Sequence, residues 1–146
     1  MKRVSLVSLC LVLVVTVLMG SVGLSNAVAS EKKFSFAFLP NTQNNTFQAA
    51  MNDTFRQLSA EKGYNYVCLD PDYDLNTQLS QLADVAIQRF DAVFVIPVDS
   101  AGIRQGVEQL KAKRIPVFNV DTPVIDEDRE LVETDIATDA YHAGVL

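Results

Sequence analysis

The chain has 146 residues, 12 of them basic and 18 acidic, and a formal net charge of −6. Phosphate binding needs a basic patch, so a chain this acidic argues against nucleic acid as a partner. Hydrophobic residues make up 49% of it, enough for the core of one domain.

Lys2 and Arg3 open the chain, an uncharged run "VSLVSLCLVLVVTVLM" spans positions 4–19, and Ala27 and Ala29 form an A-x-A pattern. A basic start, a short apolar middle and a small-residue cleavage site describe a secretory signal peptide over residues 1–29. The apolar run is short for a membrane span of roughly 20 residues. No small-residue lipid-attachment pattern precedes Cys10. The expected mature protein, residues 30–146, is not membrane-embedded and is periplasmic or secreted. With Lys2 and Arg3 gone it carries 10 basic and 18 acidic residues, a net charge of −8. Cys68 is then the only cysteine, without an internal disulfide partner. Its place within the apolar run "YNYVCLD" marks a buried structural thiol.

"FSFAFL" (34–39) predicts a first strand. The spacing of Phe47, Met51, Phe55 and Leu58 predicts a helix over 46–62, with Gly63 as its C-cap. "YNYVCL" (64–69) predicts a second strand. Leu75, Leu79, Leu82, Ala83, Ala86, Ile87 and Phe90 then form a helical stripe, with Asp74 as N-cap. "AVFVI" (92–96) is continuous apolar sequence, as in a strand covered on both faces. A third helix is expected over 100–113, capped by Asp99 or Ser100, with Lys111, Lys113 and Arg114 suiting its dipole. "IPVFNV" (115–120) and "ELVETDI" (130–136) predict strands four and five, joined by an exposed loop, 121–130. A last helix is expected to start near Asp139, so that the chain stops a few residues into it and resembles one piece of a longer protein. Strict alternation of strand and helix implies an α/β fold with an open parallel sheet and helices on both faces.

Ligands of such a sheet bind at the carboxyl ends of its strands. There lie Asn41 to Thr46, then Pro97, Asp99 and Ser100, then Asn119, Asp121 and Thr122, then Asp135, Thr138 and Asp139. Amides donate and accept, hydroxyls do both, and carboxylates accept. With Phe47 nearby to cover an apolar ring face, this set suits a neutral polyhydroxylated ligand. Asn45 also fits a helix cap, Phe47 also fits a core position, and Asp99, Ser100 and Asp139 fit caps better than ligand contacts. Asp121 precedes no immediate helix, so capping does not explain it.

Enzymatic constellations are missing. The turn 40–46 holds no glycine, as a dinucleotide fingerprint or P-loop requires. One histidine, His142, and one mature cysteine do not make a His/Cys metal site. No G-x-S-x-G occurs. No cofactor is implied and no enzyme is expected.

"NNTF" (44–47), "KGYNYVCLD" (62–70), "VFVIPVDSAGI" (93–103), "RIPVFNVDTP" (114–123) and "DIATDAYHAG" (135–144) resemble, in order and spacing, the periplasmic sugar-binding proteins of ABC importers, the ribose/galactose-type group with the type I fold. The resemblance runs from Phe34 to the end of the chain. It implies two α/β lobes closing on one sugar about a hinge, of which this chain holds most of the Rossmann-like first lobe, and a membrane permease as partner. By similarity, Asn41 and Asn45 bind sugar hydroxyls, Phe47 stacks on the ring, and Asp121, followed by Thr122, accepts from hydroxyls. The family often has proline at Thr46 and a second aromatic at Gln48. Ribose binders have arginine at Thr122 and asparagine at Ile96. These departures point to a different sugar or a related polyol.

Three rivals remain at this level. One is a sensor presenting its sugar to a chemoreceptor or kinase. Another is a doubly wound α/β enzyme, disfavoured by the glycine-free first turn. The third is a transcription-factor effector domain, disfavoured by the secretory leader.

Overall fold

The computed structural model describes residues 32–137 and Gly144. The expected leader, the helix near Asp139, Thr138 and His142 lie outside the described residues. Five strands run β1 (Ser35–Leu39), β2 (Asn65–Cys68), β3 (Ala92–Val95), β4 (Val117–Val120) and β5 (Thr134–Ile136). They form one sheet in the order β2-β1-β3-β4-β5, and every neighbouring pair is parallel. Helices α1 (Thr46–Lys62), α2 (Leu75–Gln88) and α3 (Arg104–Ala112) fill the first three connections. The expected α/β parallel sheet is the observed one.

Alternation along the strands sorts the core into two layers. Ala37, Leu39, Val93, Val95 and Val117 meet Leu82, Val85 and Ala86 of α2 and Ile103, Val107 and Leu110 at α3. On the opposite face Phe38, Ile96 and Val120 pack with Met51 and Phe55 of α1, and with Tyr66, Cys68 and Phe94. The aliphatic face carries two helices and the aromatic face α1. Two closely packed helices need a small residue between them. Gly106 supplies it, since a Cβ there would sit 2.5 Å from Leu82 Cδ1. Phe38 is fully buried, and burial of such a side chain contributes about 2 kcal/mol.

The caps follow the sequence. Asn45 Oδ1 accepts from Phe47 N at 2.9 Å and Gln48 N at 3.4 Å. Gly63 adopts φ +71°, and Tyr64 N donates to Ser59 O, closing a Schellman turn. Asp74 caps α2 through Thr77 N.

Four expectations change. The inward side of α1 carries Gln48, Asn52 and Ser59 along with Met51 and Phe55, while Phe47 and Leu58 are exposed at 56% and 48%. α2 ends at Gln88, because Arg89 turns left-handed at φ +56°. α3 begins at Arg104 and not at Ser100, because Asp99 Oδ1 accepts from Ala101 N and Gly102 N and holds residues 100–103 in a turn. The 121–130 segment is not all exposed loop: a 3-10 helix spans Asp126–Leu131, anchored by Asp128, 1% exposed and paired with Arg104. Cys68 is half-buried, and desolvation pushes its thiol up to about 11, against some lowering by Tyr66, so it stays an unreactive thiol at neutral pH.

Candidate functional site

The parallel register brings the strand ends level. Leu39 is opposite Val95, and Val95 opposite Asn119. The segments after β1, β3 and β4 therefore leave one edge of the sheet side by side. β1 and β4 stand two strand spacings apart, about 10 Å.

The chain after β1 is held by its own amides. Gln48 is 3% exposed on the first turn of α1. Its Nε2 donates to Asn41 Oδ1 at 2.6 Å, and its Oε1 accepts from Thr42 N at 3.3 Å. Thr42 is fully buried, and its hydroxyl accepts from Asn44 N at 3.0 Å. Asp70, just past β2, accepts from Gln43 N at 3.1 Å. Gln43 Oε1 accepts from Asn52 Nδ2 at 2.6 Å, and Asn52 Oδ1 accepts from Tyr66 OH at 2.7 Å. Burial raises the Tyr66 pKa, so the phenol remains the donor. Much of the amide run 41–48 thus binds itself, so that the loop has one shape before any ligand arrives.

The chain after β3 and β4 is stapled by two further amides. Gln78 of α2 is fully buried; its Nε2 donates to Pro40 O and Ile96 O and its Oε1 accepts from Val98 N. Asn119 is 1% exposed; its Nδ2 donates to Val95 O and Thr122 O, and its Oδ1 accepts from Val124 N. These staples set the level of the edge, and the bonds of Asn119 to Thr122 and Val124 hold the chain that leaves Asp121.

Asp121 has φ +66°, in the left-handed region. Its N–H donates to Ile136 O at 2.8 Å, and the next N–H, of Thr122, returns to Val120 O at 2.9 Å. An i to i+2 bond around a residue with positive φ is a tight and strained turn. Such a conformation costs an aspartate of the order of 1–2 kcal/mol, and strain of this kind gathers at functional sites. The carboxylate of Asp121 and the hydroxyl of Thr122, both half-buried, have no hydrogen-bond partner among the described residues.

The sequence-derived candidates divide accordingly. Asn41 and Asn45 each spend their oxygen internally and keep Nδ2 without an acceptor among the described residues. Asp121 and Thr122 keep their side chains free in the same sense. Phe47 projects from the first turn of α1 and lines a groove of about 320 Å³ with Ala50, Met51, Thr54, Phe55 and Leu58; core packing does not account for it. Asp99 and Ser100 are consumed in the scaffold, since Ser100 Oγ donates to Pro123 O at 2.7 Å. Gln48, Asn52, Asp70 and Gln78 hold the site and were not singled out by sequence. The signal for the helical three is polar residues on the inward side of α1 and α2. Among the described residues no group of His, Cys, Asp and Glu is placed to hold a metal. No helix among them is long and apolar enough to cross a membrane.

The model of the periplasmic binding protein domain family matches residues 36–146. The chain belongs to that family. A ribose import binding protein of Bacillus subtilis is 27% identical over 117 residues, 80% of this chain and 37% of that protein. The structure of a galactofuranose binding protein superposes with a TM-score of 0.68 at 22% identity, covering 73% of this chain and 36% of that one. A solute-binding protein from Agrobacterium vitis, solved with α-D-tagatopyranose, gives a TM-score of 0.68 at 24% identity, over 77% of this chain and 40% of that one. This periplasmic binding protein chain thus spans well under half the length of the relatives it matches. The structural likenesses show the fold: a lobe of the type I periplasmic binding protein architecture. The relatives are binding proteins of importers and not enzymes, as expected from the residues here.

Proposed function

We propose that this chain is the first lobe of a solute-binding protein that captures a neutral sugar or a related polyol and delivers it to the permease of an ABC importer. The observation that carries the reading is the strained Asp121, whose carboxylate stands at the strand ends without an internal partner. A carboxylate accepts from two adjacent hydroxyls, and Asn41 and Asn45 supply donors from the neighbouring strand end. Phe47 covers a ring face and Thr122 adds a hydroxyl. The relatives named for ribose and galactofuranose, and the one holding tagatopyranose, support the ligand class. Binding closes a second lobe over the ligand about a hinge, with no chemistry on the ligand. The leader, residues 1–29, directs export, and the mature protein works in the periplasm or outside the cell.

The intact protein tests this. D-ribose, D-galactose, D-allose, D-tagatose and myo-inositol are titrated calorimetrically into wild type and Asp121→Ala. One is expected to bind, and the substitution to weaken it by roughly 2–4 kcal/mol, since hydroxyls closed into the cleft lose a charged acceptor. Equal affinity in both proteins would remove Asp121 from the site. A sugar-sensing role shares the same site and differs only in the partner.

A further inference from the structure

Gln48 is buried behind Asn41, one bond back from the sheet edge. A side-chain amide has an acceptor end and a donor end, and which end faces which neighbour is set by what the neighbours are. Here the neighbours decide it. Thr42 offers a backbone N–H, which is only a donor, so the Gln48 atom beside it must be the oxygen. The Gln48 Nε2 is then the atom facing Asn41, at 2.6 Å, and Asn41 must meet it with Oδ1. Asn41 is left with its NH2 group, which has no acceptor among the described residues. The chain of constraint starts at an immovable backbone N–H and ends at a side chain on the ligand edge. Burial of Gln48 and Thr42, at 3% and 0% exposed, keeps water from substituting for either bond.

The same logic applies to Asn45. Its oxygen takes the first free N–H groups of α1, from Phe47 and Gln48, so its NH2 also points away from the helix end. We infer that Gln48 is a positioning residue that turns the Asn41 amide so that Asn41, like Asn45, presents its NH2 donor at the sheet edge that also carries the acceptor-only carboxylate of Asp121. The inference rests on the sugar-binding reading and sharpens it. The ligand atom met by Asn41 is an oxygen offering lone pairs, a hydroxyl or a ring oxygen, and the groups met by Asp121 are hydroxyls giving protons. An ammonium group, as on an amino sugar, finds no acceptor at the Asn41 NH2 and finds one beside Asp121.

The test uses the intact protein and has two arms. In the ligand-free protein, through-hydrogen-bond NMR couplings are expected from Gln48 Nε2 to Asn41 Cγ and from Thr42 N to Gln48 Cδ. A coupling from Asn41 Nδ2 to Gln48 Cδ overturns the relay whether or not any sugar binds. In the second arm, the tightest binder of the five-sugar panel is compared with its monodeoxy and monofluoro analogues in wild type, Gln48→Glu and Gln48→Met. Fluorine accepts weakly and does not donate. In wild type, at the hydroxyl met by Asn41, fluorine is expected to cost only a few-fold, and deletion at least about tenfold. At the hydroxyls met by Asp121, fluorine and deletion cost alike.

Glutamate at 48 still accepts from Thr42 but has no N–H for Asn41, so the Asn41 amide turns over and presents its oxygen. Gln48→Glu is expected to lose the parent sugar at least about tenfold and to abolish the preference for fluorine over hydrogen. Gln48→Met, which only releases the amide, is expected to weaken that preference with a smaller loss. A purely structural role would lower all analogues together, and an unchanged ranking in both variants would overturn the proposal. If no sugar in the panel binds wild type while the NMR couplings are as expected, the sugar reading falls and the amide relay stands.

Discussion

The strand ends after β3 and β4 and the loop after β1 use the same side chain, the primary amide, to opposite ends. Gln78 and Asn119 are buried, and oxygen and nitrogen of each are hydrogen-bonded to backbone. Asn41 and Asn45 are half-buried and exposed, respectively, and each has only its oxygen engaged. A fully bonded amide is scaffold; an amide held by one end is an oriented tool. What separates them is the valence that remains after folding, and residue type does not reveal it.

Substitutions can break this contrast. Asn119→Leu is expected to do the most damage, because it takes the side-chain partner from the buried Val124 N–H and from the Thr122 carbonyl. A loss of about 3–4 kcal/mol in denaturant unfolding is expected; a loss under 1 would make Asn119 a bystander. Asp121→Gly sharpens the contrast from the other side. Glycine accepts φ +66° at no steric cost. The variant is expected to gain about 0.5–1 kcal/mol of stability while its sugar affinity falls roughly a hundredfold. A variant both stabilised and fully active would sever strain from function.

Phe47→Ala should leave stability within about 0.5 kcal/mol, because the ring is mostly outside the core. Sugar affinity should still fall about tenfold, as lost ring stacking. The smallest effect lies at the far, amino edge of the sheet. There the Lys32 ammonium, with the Ser35 hydroxyl and N–H, holds the Asp91 carboxyl down at about 2. A depressed carboxylate stabilises the fold above its unfolded value, about 3.9, and that contribution fades as pH falls through about 2. Melting of wild type between pH 5 and pH 2 should therefore drop slightly more than melting of Asp91→Asn. Parallel curves would show that the bonds of the Asp91 carboxylate to Lys32 and Ser35 contribute nothing, as for many exposed pairs.

Much of the fold was legible. The limits of α1, the left-handed Gly63 and the Asp74 cap were all set by local chemistry, and the apolar runs located all five strands, although the fifth starts at Thr134 and not at Glu130, because the 3-10 helix takes residues up to Leu131. The errors came where tertiary contacts outvote pattern. Apolar spacing made Phe47 and Leu58 inward-facing, but Gln48 and Asn52 take that side because the segment after β1 gives them partners in Thr42 and Asn41, and β2 gives one in Tyr66. The turn at 100–103 reads as helix because its residues suit either state; only the Asp99 carboxylate bonding to Ala101 and Gly102 N–H decides it. Asp128 looked like one more acid in a polar run, and its burial depends on Arg104, 24 residues away. At the site, Asp121 stood out because no cap explained it. Gln48 did not, because its role is visible only from the bonds it makes.

The most direct test is a crystal structure of the intact protein with the tightest-binding sugar of the panel, at a resolution that separates amide nitrogen from oxygen. The expected result is a sugar over the carboxyl edge, its hydroxyls within hydrogen-bond distance of the Asp121 carboxylate and its lone pairs met by Asn41 Nδ2 and Asn45 Nδ2. A sugar bound elsewhere, or one that leaves Asp121 unpaired in the closed protein, would contradict the account.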